Sequence, residues 1–151
     1  MLHLLLRLFH ILFMAVWVGT TLFVTGDVKR TVEAGPDHLP LLKDRVGRSL
    51  KVGNICGVAT LITGVGLVMS AGGFGAVPPA IHSGMLGAII LLGVGAGGLQ
   101  RSWTRIEARL DGGTDPAALM PQIKKLGLIA KVFHTIWLIV LILMVFRNGP
   151  A

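Results

Sequence analysis

Four long apolar segments constrain the fold of this chain more than any other feature. They cover approximately residues 2–25, 52–71, 80–100 and 125–146. An α-helix needs about 20 mostly apolar residues to cross a hydrocarbon core that is about 30 Å thick. Each segment is therefore predicted to form one transmembrane helix. Because 53% of the 151 residues are hydrophobic and only 14% are charged, we expect one all-α integral membrane domain over residues 1–151, folded as a four-helix bundle.

Basic residues are concentrated in two of the three connections between these segments. The connection "SAGGFGAVPPA" between spans two and three carries no charge. The other two hold eleven basic residues: Lys29, Arg30, Lys43, Arg45, Arg48, Lys51, Arg101, Arg105, Arg109, Lys124 and Lys125. By the positive-inside rule both basic connections lie in the cytoplasm, which places both termini on the outer, periplasmic side. Because the first span is too long for a signal peptide and lacks a cleavage site, we expect a multi-pass protein of the cell inner membrane.

The net charge of +7 is interpreted as a topology signal and as contact with anionic lipid, not as nucleic-acid binding. No aromatic residues are interleaved with the basic ones to stack bases. The single cysteine, Cys56, excludes an intrachain disulfide and is expected to be a buried thiol. Two GxxxG patterns, at residues 53–57 and 93–97, allow helix backbones to approach closely. They predict either packing within the bundle or a homodimer through the glycine-rich spans.

The basic connections are predicted to contain helical structure of their own. The stretch "AGPDHLP" is typical of a turn between extensions of spans one and two. Span three is expected to continue as a basic amphipathic helix to about residue 110. After the break "DGGTDP", Asp115 or Thr114 is expected to cap a short helix that opens at Pro116.

Span one carries a polar stripe along one face. Its members follow one another at intervals of three or four residues: His3, Arg7, His10, Met14, Trp17 and Thr21. Such spacing places all of them on the same side of a helix, while Leu, Ile, Phe, Val and Ala occupy the opposite side. Because ionisable groups are costly in hydrocarbon, we expect the stripe to face the bundle interior or a cavity.

Three histidines are candidate metal ligands within the spans. His10 and His134 lie well inside spans one and four, and His82 lies near the outer end of span three. Haem iron takes axial imidazoles from facing helices, and the interior of a helical bundle accommodates the flat macrocycle. We therefore predict haem b held by His10, with His134 as the second ligand and His82 as its competitor. No CxxCH motif occurs, which excludes covalent c-type attachment.

Three other stripe residues are assigned to the same cofactor pocket. Arg7, one turn outward of His10, supplies a cation for a haem propionate. Met14 packs on the ring or ligates the iron, and Trp17 packs within the bundle. Simpler interpretations remain open, because membrane histidines often hydrogen-bond to neighbouring helices and Arg7 can snorkel to the outer interface.

The stretch "FHILFMAVWVGTTLF" resembles the first helix of two membrane families. These are the membrane protoporphyrinogen IX oxidases of bacterial haem synthesis (HemJ-like) and the copper-resistance D (CopD-like) proteins. The shared pattern is a histidine followed seven residues later by Trp and then Gly, here His10, Trp17 and Gly19. The stretches "KDRVGRSLKVGNICGVATLITGVGLVM" and "AIHSGMLGAIILL" are similar to their second and third helices. The resemblance implies a four-helix haem-type scaffold, and Gly84 stands where the oxidases typically have lysine.

The leading functional prediction is a small membrane b-type haem protein that transfers electrons or binds a small redox ligand near the outer face. Its partner is expected to be a quinone or another electron-transfer molecule. One alternative is a haem-dependent oxidase that acts on protoporphyrinogen or is coupled to quinone. Another is copper binding or transport, with soft and borderline ligands toward the outer side: His10, Met14, Met69, His82 and Met85.

Overall fold

The computed structural model describes residues 1–146, and the regular structure within this range is entirely helical. The helices are α1 (Leu2–Leu22), α2 (Val24–Ala34), α3 (Leu39–Ser70), α4 (Pro79–Leu92), α5 (Arg101–Asp111) and α6 (Met120–Val145). Helix α2 continues α1, and α5 continues α4 through the π-helical segment Gly93–Gln100. Four helical stretches result, and each is long and apolar enough to cross a membrane. The predicted all-α, four-helix architecture is therefore confirmed for the described residues.

The connections between helices form where the sequence predicts them. Gly35 ends α2 with a φ of 109°, which favours glycine, and a single 3-10 turn over Pro36–His38 leads into α3. The third helical stretch ends at Asp111, as expected. Asp115 then accepts a hydrogen bond from a backbone amide two residues later, at 2.9 Å. A short 3-10 helix follows over Pro116–Leu119, so the predicted cap is Asp115.

The helices pack as two pairs. Helix α1 packs most extensively against α3, and α4 packs most extensively against α6. Contacts between the two pairs, such as those of α1 with α6 and of α3 with α4, are fewer. Many large apolar side chains of both pairs point outward, as expected for helices surrounded by lipid: Leu4, Leu8, Ile62, Leu86, Ile89, Leu138 and Ile142 are examples. A space can therefore open between the pairs while the outer surface remains apolar.

Glycines set the distance within and between these pairs. A Cβ atom on Gly57 would lie 2.6 Å from Cε2 of Trp17 and 2.8 Å from Cδ2 of Leu92, so only glycine admits both side chains. In the other pair, Gly84 is covered by Met144. Span two's GxxxG pattern therefore serves packing within the chain. A Cβ atom at Gly93 or Gly97 would meet no other atom within 4 Å, so the homodimer prediction for span three remains a prediction.

The basic connections fold together into a helical cap. It comprises α2, the first half of α3, α5 and the start of α6, and it contains most of the fully buried core: Val28, Leu42, Val46, Trp103, Ile106, Leu119 and Leu126. Ion pairs join its helices, from Lys43 to Asp111 and from Arg45 to Asp27. An apolar core of this kind, wrapped by charged residues, is typical of a region in contact with water.

We predict that Gly57→Ala destabilises the protein, because the new methyl group overlaps the Trp17 ring. Overpacking of this kind typically costs about 1–3 kcal/mol. Gly47→Ala in the same helix is the matched control, because a Cβ atom there meets nothing within 4 Å. The thermal unfolding midpoint of the detergent-solubilised protein should fall for the first variant and stay or rise for the second. Equal midpoints would contradict the packing described.

Candidate functional site

A cavity of about 580 Å³ lies between the two helix pairs, at the end of the bundle that holds the N-terminus. Helices α1 and α3 form one wall, and α4 and α6 form the other. Most of the lining is apolar, including Ile11, Leu61, Leu67, Val68, Ile81, Ala88 and Leu141. The polar side chains are few and come mainly from α1: His3, Arg7, His10 and Thr60 of α3. An apolar pocket with a few converging polar groups is the usual form of a small-molecule or cofactor site.

His10 is held in a defined orientation by α3. Its Nδ1 atom lies 2.9 Å from the backbone carbonyl oxygen of Thr60 and 3.2 Å from Oγ1 of Thr63. A carbonyl oxygen only accepts, so Nδ1 carries the hydrogen and donates it. The other ring nitrogen, Nε2, then has a free lone pair, and no hydrogen bond to it occurs within residues 1–146. This is the arrangement found around metal-ligating histidines, whose second nitrogen donates to a carbonyl or carboxylate.

A glycine of α3 makes this position of the ring available. A Cβ atom on Gly64 would lie 3.1 Å from Cε1 of His10. The glycine therefore allows the imidazole to approach the α3 backbone closely enough to reach the carbonyl of Thr60. Sequence reasoning identified His10 but missed Gly64, Thr60 and Thr63. The only sequence signal for these three residues was that a glycine and two threonines occur within five residues of a neighbouring span.

The mouth of the cavity is cationic. Arg7 lies one helical turn outward of His10, and its side chain is exposed while still lining the cavity. His3 lies a further turn outward, with Nδ1 at 2.8 Å from Oγ of Ser70. No acidic side chain lines the described cavity. A guanidinium at the entrance of an apolar pocket is suited to an anionic group such as a carboxylate.

Three methionines line the cavity from both walls. Met14 comes from α1, whereas Met85 and Met144 come from α4 and α6 and so lie opposite His10. Met144 packs directly on Gly84, so the space beside this glycine is filled by a thioether. Met69, a predicted copper ligand, is 60% exposed and does not line the cavity.

Trp17 and Thr21 complete the stripe deeper in the bundle. Trp17 is 2% exposed, covers Gly57 and meets the ring of Phe133 edge-on, with centroids 5.8 Å apart. Thr21 is also buried. With the four outer members lining the cavity and these two buried, the stripe faces the interior as predicted. Trp17 lies next to the cavity's inner end without lining it.

The structure does not bring the other two predicted ligands to His10. The Nδ1 atom of His134 donates to the backbone carbonyl oxygen of Ala130 at 2.6 Å, and its Nε2 atom lies 3.3 Å from Oγ1 of Thr21, whose hydroxyl hydrogen is donated to the Val18 carbonyl. Thr21 lies about 16 Å from His10 along α1, at 1.5 Å per residue. His82 is exposed and packs against Phe74, at a ring separation of 6.2 Å. Within residues 1–146, no three His, Cys, Asp or Glu side chains converge as metal ligands.

No family model, curated protein or solved structure matches this chain. The resemblance to the protoporphyrinogen oxidase and copper-resistance families therefore stays a prediction from the quoted stretches. The features that bear on function are the cavity, the orientation of His10 and the three thioethers that line the cavity, two of them opposite His10.

Proposed function

We propose that this chain is a small integral membrane protein that binds haem b between its two helix pairs, with Nε2 of His10 as an axial ligand. The observation that carries the proposal is the hydrogen bond from Nδ1 to the Thr60 carbonyl. It leaves Nε2 as a neutral ligand atom and fixes the ring plane, as ligating histidines require. The redox function proposed is electron transfer or binding of a small redox ligand near the outer face.

The residues of the cavity fit a haem in size and polarity. A volume of about 580 Å³ falls within the range of roughly 300–1,000 Å³ that ligand pockets occupy. Its apolar walls suit the faces of a porphyrin, and a single metal ion would need far less space. Arg7 at the mouth is placed to pair with a propionate. Arg7 and His3 are the cationic and polar residues that would hold the charged groups of the cofactor.

The second axial ligand is proposed to be a thioether of the opposite wall. Met14 follows His10 by four residues on the same helix, so the two side chains project from the same wall of the cavity. Met85 and Met144 project from the α4–α6 pair, opposite His10, and either of them could supply the second ligand. His/Met ligation is known to raise the reduction potential of haem iron. His134, which lies beside Thr21 at a deeper level, acts in helix packing under this proposal.

When bound, haem supplies a one-electron couple, and the chain's own residues adjust it. The Thr60 carbonyl raises the basicity of His10 through the shared hydrogen. The apolar lining excludes water from the metal position. Arg7 offsets negative charge at the mouth, where a quinone or another electron-transfer partner could approach.

Copper binding is the second candidate, because three thioethers and one imidazole line the same cavity. Thioethers select Cu(I) among first-row metals. The candidate copper ligands that line the cavity are His10, Met14, Met85 and Met144. Compared with the sequence prediction, Met69 and His82 are absent from this set and Met144 is added. The oxidase alternative has less support, since Met144 occupies the space beside Gly84 and neither lysine nor an acidic residue lines the described cavity.

We further propose that the cavity opens toward the outer face and the helical cap toward the cytoplasm. The cap contains all eleven basic residues of the two connections, whereas the α3–α4 connection at the cavity end has none. The positive-inside rule gives the orientation from this asymmetry.

The orientation is tested by labelling single cysteines in intact cells, in a Cys56→Ser background. A membrane-impermeant maleimide should fail to label His38→Cys or Gly112→Cys, both at exposed positions of the cap. Gly75→Cys, exposed in the α3–α4 connection, should be labelled. The opposite pattern would place the cavity on the cytoplasmic side.

Ligation is tested by His10→Gly, which removes the proposed ligand and leaves space for free imidazole. We expect the variant to lose the haem Soret band and to regain it when imidazole is added, because the ligand then enters the vacated position. His82→Ala is the matched control and should keep the wild-type spectrum, since this exposed ring lies outside the cavity. A full Soret band in His10→Gly without imidazole would contradict ligation by His10.

The second ligand is tested by His134→Gln and by Met85→Leu and Met144→Leu. We expect His134→Gln to keep a low-spin spectrum, because the His134 ring donates to Ala130 and lies beside Thr21. One of the methionine variants should become high-spin through loss of a coordinating sulfur. A high-spin His134→Gln beside two unchanged methionine variants would instead support bis-histidine ligation.

Arg7→Gln is expected to keep haem bound and to lower its reduction potential. Removing a cation near a propionate favours the oxidised iron, which carries the greater positive charge. Potentiometric titration of the purified protein measures the change. An unchanged or raised potential would show that Arg7 is remote from the cofactor.

A further inference from the structure

A second cavity lies at the boundary between the apolar part of the bundle and the helical cap. It has a volume of about 460 Å³ and opens beside Phe23, where α1 ends and α2 begins. One wall is formed by α1 and α2, and the other by α3. We refer to it as the interfacial groove, defined by Gly19, Thr20, Phe23, Gly26, Arg30 and Ser49.

The groove lies where the first helical stretch is interrupted, at Phe23. The hydroxyl groups of Thr20 and Thr21 donate to the carbonyls of Trp17 and Val18, at 3.0 and 2.9 Å. Threonine hydroxyls that bond back to the preceding turn weaken and bend a helix. The one-residue interruption at Phe23 thus directly follows two threonines that bond back in this way, and α2 begins at Val24.

The two ends of the groove differ in polarity. Toward the membrane, Leu22 and Phe23 are 51% and 75% exposed and carry no polar group. Toward the cap, Arg30 and the hydroxyl of Ser49 line the groove. It thus joins an apolar, lipid-facing surface to a cationic and hydrogen-bonding one over the length of about two helical turns.

The charge inside the groove is positive. Asp27 lines it, but the carboxylate of Asp27 is paired with Arg45, whose Nη2 and Nε lie 2.8 and 3.2 Å from the two carboxylate oxygens. Arg30 makes no ion pair with any residue in the range 1–146. The guanidinium of Arg30 is therefore the uncompensated charge, and it is free to pair with an anion.

Two glycines keep the groove open. Gly19 and Gly26 line it with backbone only, and a Cβ atom at either would meet no atom within 4 Å. A Cβ atom at Gly26 would therefore stand in open space. Gly26 is therefore a position at which a side chain can be introduced beside the groove.

We propose that the interfacial groove binds the phosphate headgroup of an anionic phospholipid. Arg30 pairs with the phosphate, the Ser49 hydroxyl donates to a phosphate oxygen, and an acyl chain lies along Leu22 and Phe23. Basic pockets between membrane helices on the cytoplasmic side are suited to anionic headgroups, and guanidinium groups bind phosphate in two-pronged geometry. The site is distinct from the His10 cavity, which lies at the other end of α1.

The test uses the full chain in nanodiscs of phosphatidylcholine with a minor fraction of phosphatidylglycerol, followed by native mass spectrometry of the released protein. Wild type should retain one phosphatidylglycerol molecule. Arg30→Gln should reduce retention about fivefold, the effect of one basic residue near an anionic headgroup. Lys29→Gln is the matched control, with the same charge change one residue away, because Lys29 pairs with Glu33 and lies outside the groove.

The Gly26→Leu variant distinguishes lipid binding in the groove from attraction by general surface charge, because it adds a side chain beside the groove and leaves the charge unchanged. It should also lose the bound lipid while keeping the wild-type unfolding temperature. Addition of inorganic phosphate should not displace the lipid, since free phosphate lacks the acyl chain. Equal losses in Arg30→Gln and Lys29→Gln, full retention in Gly26→Leu, or displacement by inorganic phosphate would each overturn the proposal.

Discussion

The hydrogen bond from His10 to the backbone of α3 is the interaction on which the site depends. An imidazole in a membrane helix needs a partner for its N–H group, and the Thr60 carbonyl supplies one at 2.9 Å. The bond forms because α1 and α3 approach closely, with Trp17 covering Gly57 and the His10 ring beside Gly64. Close packing of one helix pair thus decides which nitrogen of His10 is free.

Separation between the two helix pairs then decides what that nitrogen can bind. Each pair is tightly packed within itself, while the halves of the pairs at the end that holds the N-terminus stand apart and enclose about 580 Å³. The cap holds the pairs together at the other end through a buried apolar core that includes Trp103 and Leu126. A cap with a buried apolar core and a space at the other end of the bundle allow a flat molecule to lie between the pairs. The apolar core that joins the pairs at one end and the space between them at the other both support the proposed cofactor site.

The spans, the turns and the interior face of α1 could be predicted from the sequence, because hydrophobic length and helical periodicity report them directly. The partners of His10 could not, since Thr60 acts through its backbone carbonyl, which no residue type reveals. The pairing of His10 with His134 depended on their depths along separate helices. Span ends uncertain by several residues cannot fix such depths, and in the structure His134 lies beside Thr21, at 3.3 Å between Nε2 and Oγ1. Met144 could not be predicted as a cavity residue, because a single methionine near a helix end looks like any other apolar residue of a membrane-length segment.

The most direct test of the central claim is the optical absorption spectrum of the wild-type protein, purified from membranes in mild detergent without added cofactor. The account predicts a Soret band that shifts on reduction, with non-covalent haem b extractable from the protein. A folded, cooperatively unfolding protein that lacks a Soret band and does not acquire one when haem is supplied would contradict it.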